Sequence, residues 1–416
     1  MTSISLKKLS KSSVSIVILL IVFTISAKPL MAYNNGRSYL LLSYGFIFIV
    51  FNIRYLASVY VFKNFKEIYI FAFFLITSSL LNYELIKLLS LFYTFFLITI
   101  YCIFIKLIRF NNFSIFTYIK IIKILLFSFF VVLLIQQIMT IMNISPVFNE
   151  LGSIGWKLNS LSTEPSLAGT SVSILFFSLL KCREFLNQRK VTFSFLIKND
   201  LLSLFSYLYL IITCGSSFGI LFVVIIFSYF IRKNNLFWIL LSILFMGVLL
   251  SSFNFPPMIR LKDFILSIFS LDQSNILKQD LSAGIRFVPL LQFITEMDIF
   301  DLQFWFGKGM YYSSIQLNEF LGFDKRVNIG WFLPSYIVDQ GVLPFIYLMW
   351  FISKNAFFKL YNIETLIFII TLTNTNINTQ TFWVAVIFFT INKFFHSKYK
   401  IYKNSDIDFK LIHSKI

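Results

Sequence analysis

Apolar runs of roughly 15–25 residues recur along the whole chain, separated by short polar stretches. As helices, runs of that length match the hydrocarbon thickness of a bilayer. The pattern predicts twelve spans, near 12–32, 38–53, 68–82, 85–105, 121–143, 166–180, 201–213, 217–231, 236–253, 331–352, 363–373 and 381–392. Basic residues test this map, because cytoplasmic connections carry an excess of Lys and Arg. With the N-terminus inside, cytoplasmic segments hold 25 Lys and Arg and outer segments hold 10. Acidic residues run the other way, 6 inside and 12 outside. An odd number of spans would break this alternation, so both termini are expected in the cytoplasm.

Two outer segments are too long to be simple turns, about 144–165 and 254–330, within a single membrane domain covering 1–416. Long loops in compact folds usually carry function. The second contains two amphipathic stretches, 259–271 and 285–301, in which apolar residues share a stripe. Helices of that kind lie on a membrane surface or against a bundle. The tail 393–416 is basic and polar.

Composition narrows the class. Hydrophobic residues make up 58% of the 416 positions, charged residues only 13%, and Phe alone supplies 55. So little polar surface cannot cover a soluble fold of this size. Disorder, coiled coil and a secreted disulfide scaffold are excluded by the same figures. The net charge of +18 sits in short clusters between apolar runs, which is a topology signal and not a nucleic-acid footprint. Cys102, Cys182 and Cys214 are far apart, and both histidines, His396 and His413, fall in the last 21 residues. Neither pattern supplies a metal site or a catalytic dyad, and no cofactor is expected.

Candidate chemistry lies on the outer side. Glu164 precedes Pro165 at the mouth of the sixth span, and proline suits the first helical turn. That places Glu164 near the N-cap, where the helix dipole favours an ionised carboxylate. It could cap the helix, or it could act on a substrate in the space left by Ser166, Ala168 and Gly169. Arg286 follows Ser282-Ala283-Gly284-Ile285, and Gly307-Lys308-Gly309 comes about twenty residues later. Arginine binds phosphate oxygens as a rigid fork, and glycines allow a tight turn and close approach to a ligand. Arg260, Lys262, Lys157, Lys325 and Arg326 are further outer cations. Asp339, in Asp339-Gln340-Gly341, lies within the tenth span as a functional candidate or a polar break. Lys87 is close enough to an interface to snorkel.

Taken together, these features resemble the O-antigen polymerases, the Wzy-type membrane proteins of bacterial surface polysaccharide assembly. Four segments carry the resemblance, and their order covers most of the chain. They are Glu164-Pro165-Ser166 at a span entrance, and Thr213-Cys214-Gly215-Ser216-Ser217-Phe218-Gly219 at a hairpin. The third is the long outer loop with Arg286 and Gly307-Lys308-Gly309. The last is Asn328 leading into Asp339-Gln340-Gly341-Val342-Leu343-Pro344. The hairpin lacks the Arg that related sequences often carry after the first Ser, so no role is assigned to Ser216 or Ser217. The related O-antigen ligases commonly place a His before the matching Asn, where this chain has Val327.

The resemblance implies a metal-independent glycosyltransferase of GT-C-like architecture in the bacterial inner membrane, with its long loops in the periplasm. A growing glycan on undecaprenyl pyrophosphate would be the donor. One repeat unit on the same carrier would be the acceptor, and a chain-length regulator a possible protein partner. On that reading Arg286 and Glu164 are catalytic. Arg260, Lys308, Gly307, Gly309, Ser166, Asn328 and Asp339 contact substrate. With no metal, fixed cations must stabilise the departing pyrophosphate. A lipid-linked oligosaccharide flippase is the main rival from another class, and a ligase the nearer one.

Overall fold

A computed structural model describes residues 11–27, 30, 38–55, 66–85, 88–110, 113–148, 158–230, 281–296, 298–321, 332–359 and 362–404, with single positions between 263 and 278. The expected span 236–253, Arg260 and Asn328 lie outside the described residues. So does the amphipathic stretch 259–271, apart from isolated positions.

The described elements are helices, with no strand among them. In chain order they are α1 (Lys11–Thr24), α2 (Tyr39–Asn52), α3 (Lys66–Leu81), α4 (Leu88–Phe110) and α5 (Ile115–Ile141). Next come α6 (Pro165–Asn187), α7 (Phe193–Cys214), α8 (Ser217–Ser228), α9 (Leu281–Glu296) and α10 (Leu302–Phe306). The last are α11 (Tyr312–Leu321), α12 (Phe332–Gln340), α13 (Val342–Ala356), α14 (Ile363–Asn374) and α15 (Gln380–Asn404). Four of them, α4, α5, α6 and α7, are long and apolar enough to cross a membrane unaided. The chain is therefore an all-α, membrane-embedded protein.

Two helices fill the centre. In α15 every side chain from Phe382 to Phe389 is buried, as befits a helix apolar all round. It packs along α6, the least apolar of the four long helices and the most enclosed. Because α6 meets other helices and not lipid, it can carry Thr170, Ser171, Ser173 and Ser178, all buried. On the outside the rule reverses. Ile124, Phe127, Ile135 and Ile138 of α5 are exposed, as are Leu201, Leu202, Phe205 and Ile212 of α7. An apolar surface this continuous faces hydrocarbon in a membrane protein. Where α6 crosses α8, Gly169 lies close to Gly219; a Cβ on Gly169 would sit 3.4 Å from the Gly219 backbone. Small residues of this kind let helix backbones close up in lipid.

Several boundaries differ from expectation. The first helix stops at Thr24, short of the expected 32, because the Ser26 amide leaves to donate to the Leu161 carbonyl (2.9 Å). The seventh span starts earlier, at Phe193, because Thr192 caps it by accepting from the Phe195 amide (3.2 Å). The expected span 331–352 is split at Gly341 into α12 and α13.

At the end of the bundle opposite Glu164, charge pairs hold helices together. Asp200 sits at a kink in α7 (φ −139°, ψ 30°) with its carboxylate fully enclosed. It accepts two bonds from the Arg183 guanidinium, both 2.8 Å, and pairs with Lys123. One side chain thus ties α5, α6 and α7. Nearby, Lys354 of α13 meets the buried Glu67 of α3 at 2.6 Å. Removing one partner of a buried pair costs ~3–5 kcal/mol. Arg183 and Lys123 are partly exposed, so Asp200→Ala should destabilise by about 3 kcal/mol, the low end. Thermal unfolding of the detergent-purified variant checks this, and an unchanged melting temperature contradicts it.

Candidate functional site

Glu164 occupies the N-cap of α6 with extended backbone (φ −139°, ψ 151°) and Pro165 follows at N1. Its carbonyl accepts from the Ala168 amide (3.0 Å), but its side chain caps nothing. The carboxylate is exposed, and its partner is Ser166, whose hydroxyl donates at 3.3 Å. The approach to Glu164 is held rigidly. Gln136, buried on α5, donates to the Val147 carbonyl (2.7 Å) and to Asn159 Oδ1 (3.2 Å), and accepts from the Ser160 amide (2.9 Å). Asn159 in turn donates to the Ser162 carbonyl (2.6 Å), and Ser160 Oγ donates to the Phe129 carbonyl (2.6 Å). Ser160 takes a left-handed φ of 50°, which this network sustains.

The second group of motifs interlocks. The Lys308 amide donates to the Val338 carbonyl (2.9 Å), and the Gly309 amide donates to the Asp339 carbonyl (3.0 Å). Gly307-Lys308-Gly309 therefore lies backbone to backbone against the α12–α13 break. Gly307 (φ 75°) and Gly341 (φ 90°) are required there. A Cβ on Gly307 would stand 2.4 Å from the Asp339 carbonyl oxygen, and one on Gly341 would stand 2.3 Å from that of Trp305. Asp339, half-buried, accepts from the Ser313 amide (2.8 Å) and the Tyr311 amide (3.1 Å), so it caps the start of α11 from another helix. Ser78 of α3 and Asn82 just beyond it close the seam by donating to the Phe306 and Gly307 carbonyls. Lys308 extends over the Tyr312 ring at 5.1 Å.

Arg286 falls on the second turn of α9, and α9 packs on α12, the helix that carries Asp339. Arg286 is thereby placed by its helix alone.

What joins the two groups is a stretch absent from the expected site, Asn374-Thr375-Asn376-Ile377-Asn378. Asn374, fully buried at the end of α14, donates to Thr170 Oγ1 (2.8 Å) and to the Ser166 carbonyl (3.2 Å). Four residues on, Asn378 accepts from Thr94 (3.0 Å). Asn376 and Asn378 line a cavity of about 50 Å³ with Asp339, Gln340 and Tyr311. That volume has room for a few waters. Trp383 fixes the stretch by donating to the Ile377 carbonyl (2.7 Å). The sequence signal was present as Gln136-Gln137 inside an apolar run and three alternating asparagines between apolar runs. The start of α8 meets α6 through the Gly169–Gly219 contact, and Ser216 caps α8 by accepting from the Gly219 amide (3.4 Å).

Among the described residues no group of three or more His, Cys, Asp or Glu side chains comes together as metal ligands do. Compared with protein-family models and with curated proteins, the chain matches none.

Gly341→Ala should be severely destabilising. The left-handed backbone alone costs ~1–3 kcal/mol in a residue with a Cβ, and that Cβ would overlap the carbonyl of Trp305. Gly169→Ala, which meets only ordinary van der Waals contact, should lose far less. Melting temperatures of the two variants side by side test the interlock; equal losses contradict it.

Proposed function

We propose that the chain polymerises lipid-linked glycan repeat units at the outer face of a bacterial inner membrane, as an O-antigen polymerase of the Wzy type. Donor glycan leaves its undecaprenyl pyrophosphate and passes to the acceptor unit. On this reading the bundle has twelve spans in a GT-C-like arrangement, with both termini in the cytoplasm. The reading is supported above all by one observation. The Glu164 helix mouth and the Gly307–Asp339 interlock are linked through residues 374–378 at one end of the bundle. Glu164 and Asp339 are 175 positions apart in sequence, and a substrate spanning two lipid carriers needs such a shared platform.

The division of labour follows from chemistry. A departing pyrophosphate gains negative charge as the glycosidic bond breaks, and fixed cations stabilise it where it forms. Arg286 is the first such cation, with Arg260 and Lys308 beside it in the scheme. Glu164 presents an exposed carboxylate with a hydroxyl neighbour, suited to orienting the attacking sugar hydroxyl and to accepting its proton. Gly307, Gly309 and Asp339 hold the shape of the turn that carries Lys308. Ser166 and Asn328 flank the acceptor.

Arg286→Ala should abolish polymer while the protein is still inserted and expressed. Arg286→Lys should also be impaired, since a point charge replaces a fork. Glu164→Gln separates a required charge from shape, and full activity there removes the carboxylate from the reaction. Polymer length distributions on gels, with membrane levels as control, read all three variants. Cells lacking the protein should carry a single repeat unit on the surface anchor. An anchor with no unit at all would favour a flippase or a ligase instead.

A further inference from the structure

The opposite end of the bundle holds a cavity of about 200 Å³ that the polymerase reading does not use. It lies where the end of α6, the start of α14 and the middle of α15 meet, roughly 25 Å along α6 from Glu164 at 1.5 Å per residue. Its walls carry Lys181, Lys359 and Lys393 together with Glu364, Asn362, Asn392 and His396. His396 is fixed between aromatic rings, its centroid 3.8 Å from that of Phe358 and 5.5 Å from that of Phe185.

The charges are arranged unequally. Lys181 is held by Glu184 at 2.8 Å, and Lys393 donates to the Lys354 carbonyl at 2.6 Å. Lys359 is exposed at the rim. Glu364 is 6% exposed and makes no hydrogen bond or ion pair among the described residues. The buried Asn392 donates to Ser178 (3.1 Å), while its Oδ1 accepts from nothing among the described residues. A buried carboxylate without a partner is costly, and three ammonium groups around one cavity repel each other. A ligand with an anionic group and a cationic donor would answer both at once. A bare phosphate would meet the lysines and be repelled by Glu364. A metal cation would do the reverse.

We propose that this cavity binds the phosphoethanolamine headgroup of a membrane phospholipid, its phosphate among Lys181, Lys359 and Lys393 and its ammonium on Glu364. Basic pockets between membrane helices suit lipid headgroups. Leu366 and Ile369, both exposed, follow within two turns on α14 and give the acyl chains an apolar track. The inference depends on membrane embedding and not on the proposed polymerase activity.

Full-length protein stripped of lipid in detergent is titrated with dioleoyl phosphatidylethanolamine, dioleoyl phosphatidylglycerol and inorganic phosphate, with bound lipid read by native mass spectrometry. Phosphatidylethanolamine should bind about tenfold more tightly than phosphatidylglycerol, the scale of one ionic hydrogen bond. Glu364→Gln should erase that preference. Lys359→Ala should weaken both lipids. The proposal is overturned by equal binding of the two lipids to the unaltered protein. A preference that survives Glu364→Gln overturns it too, as does inorganic phosphate that displaces lipid and binds as well. Should Glu364→Gln not fold, Lys359→Ala decides, because its side chain is exposed and unchanged affinity there is an overturning result.

Discussion

A helix interrupted within an apolar bundle frees backbone groups that hydrocarbon cannot satisfy, and such a break survives only where other protein atoms take over. The break at Gly341 is resolved in this way. The carbonyls of Val338 and Asp339, left over as α12 ends, accept from the amides of Lys308 and Gly309. In exchange the Asp339 side chain receives two amides at the start of α11. Each of the two segments supplies what the other lacks. Removing either would expose unpaired polar groups at several kcal/mol each. The rest of this end is organised around that exchange. Ser78 of α3 and the adjoining Asn82 reach its outer carbonyls, and the cavity beside it borders on Asn376 and Asn378.

The two ends of the bundle are stabilised by different chemistry. Ion pairs around Asp200, Glu67 and Glu184 gather at the Lys181 end. The Glu164 end is joined by amides and hydroxyls, through Gln136, Asn159, Asn374 and Asn378. Neutral hydrogen bonds give rigidity without consuming charge. Lys308 is left over an aromatic ring and Glu164 beside a hydroxyl, each with charge that no described residue neutralises as an ion pair. A surface meant to handle a charged substrate gains from that economy, since an internal salt bridge would have to be broken before the substrate could be held.

Much of the fold was legible because a bilayer leaves the sequence few choices. Helix ends within the long apolar runs fell close to the expected boundaries at α2, α8 and α14, where turn residues mark them. The N-cap position of Glu164 followed from Pro165 alone. What stayed hidden depended on partners far away in sequence. Asp200 reads as one acid in a basic loop until Arg183 and Lys123 converge on it. Asn374 to Asn378 reads as a polar connection until Ser166 and Thr170 are seen against it. The split of 331–352 was visible as an Asp-Gln-Gly triplet. That the glycines of 307–309 exist to fit against that same triplet was not, since no periodicity encodes a backbone contact between distant turns.

Glu164 gives the strongest reason to look for chemistry at this end. Ser, Thr, Asp and Asn are the residues that stabilise an N-cap, and Ser38, Ser114, Thr192 and Ser216 all do so in this chain by accepting from an amide of the first turn. At α6, as at Asp301 of α10 and Asn362 of α14, the side chain in the cap position accepts from no amide. A longer acid stands in the cap position, turns away from the amides and leaves proline to start the helix. The described residues 158–163 that lead into it are nonetheless held by Gln136, which donates to the Ser160 carbonyl, and by Asn159, which donates to the Phe148 and Ser162 carbonyls. A rigid frame around a residue whose side chain adds no bond to its own helix is the arrangement expected where local stability has been given up for function. If capping were all that this position required, a serine would do it better.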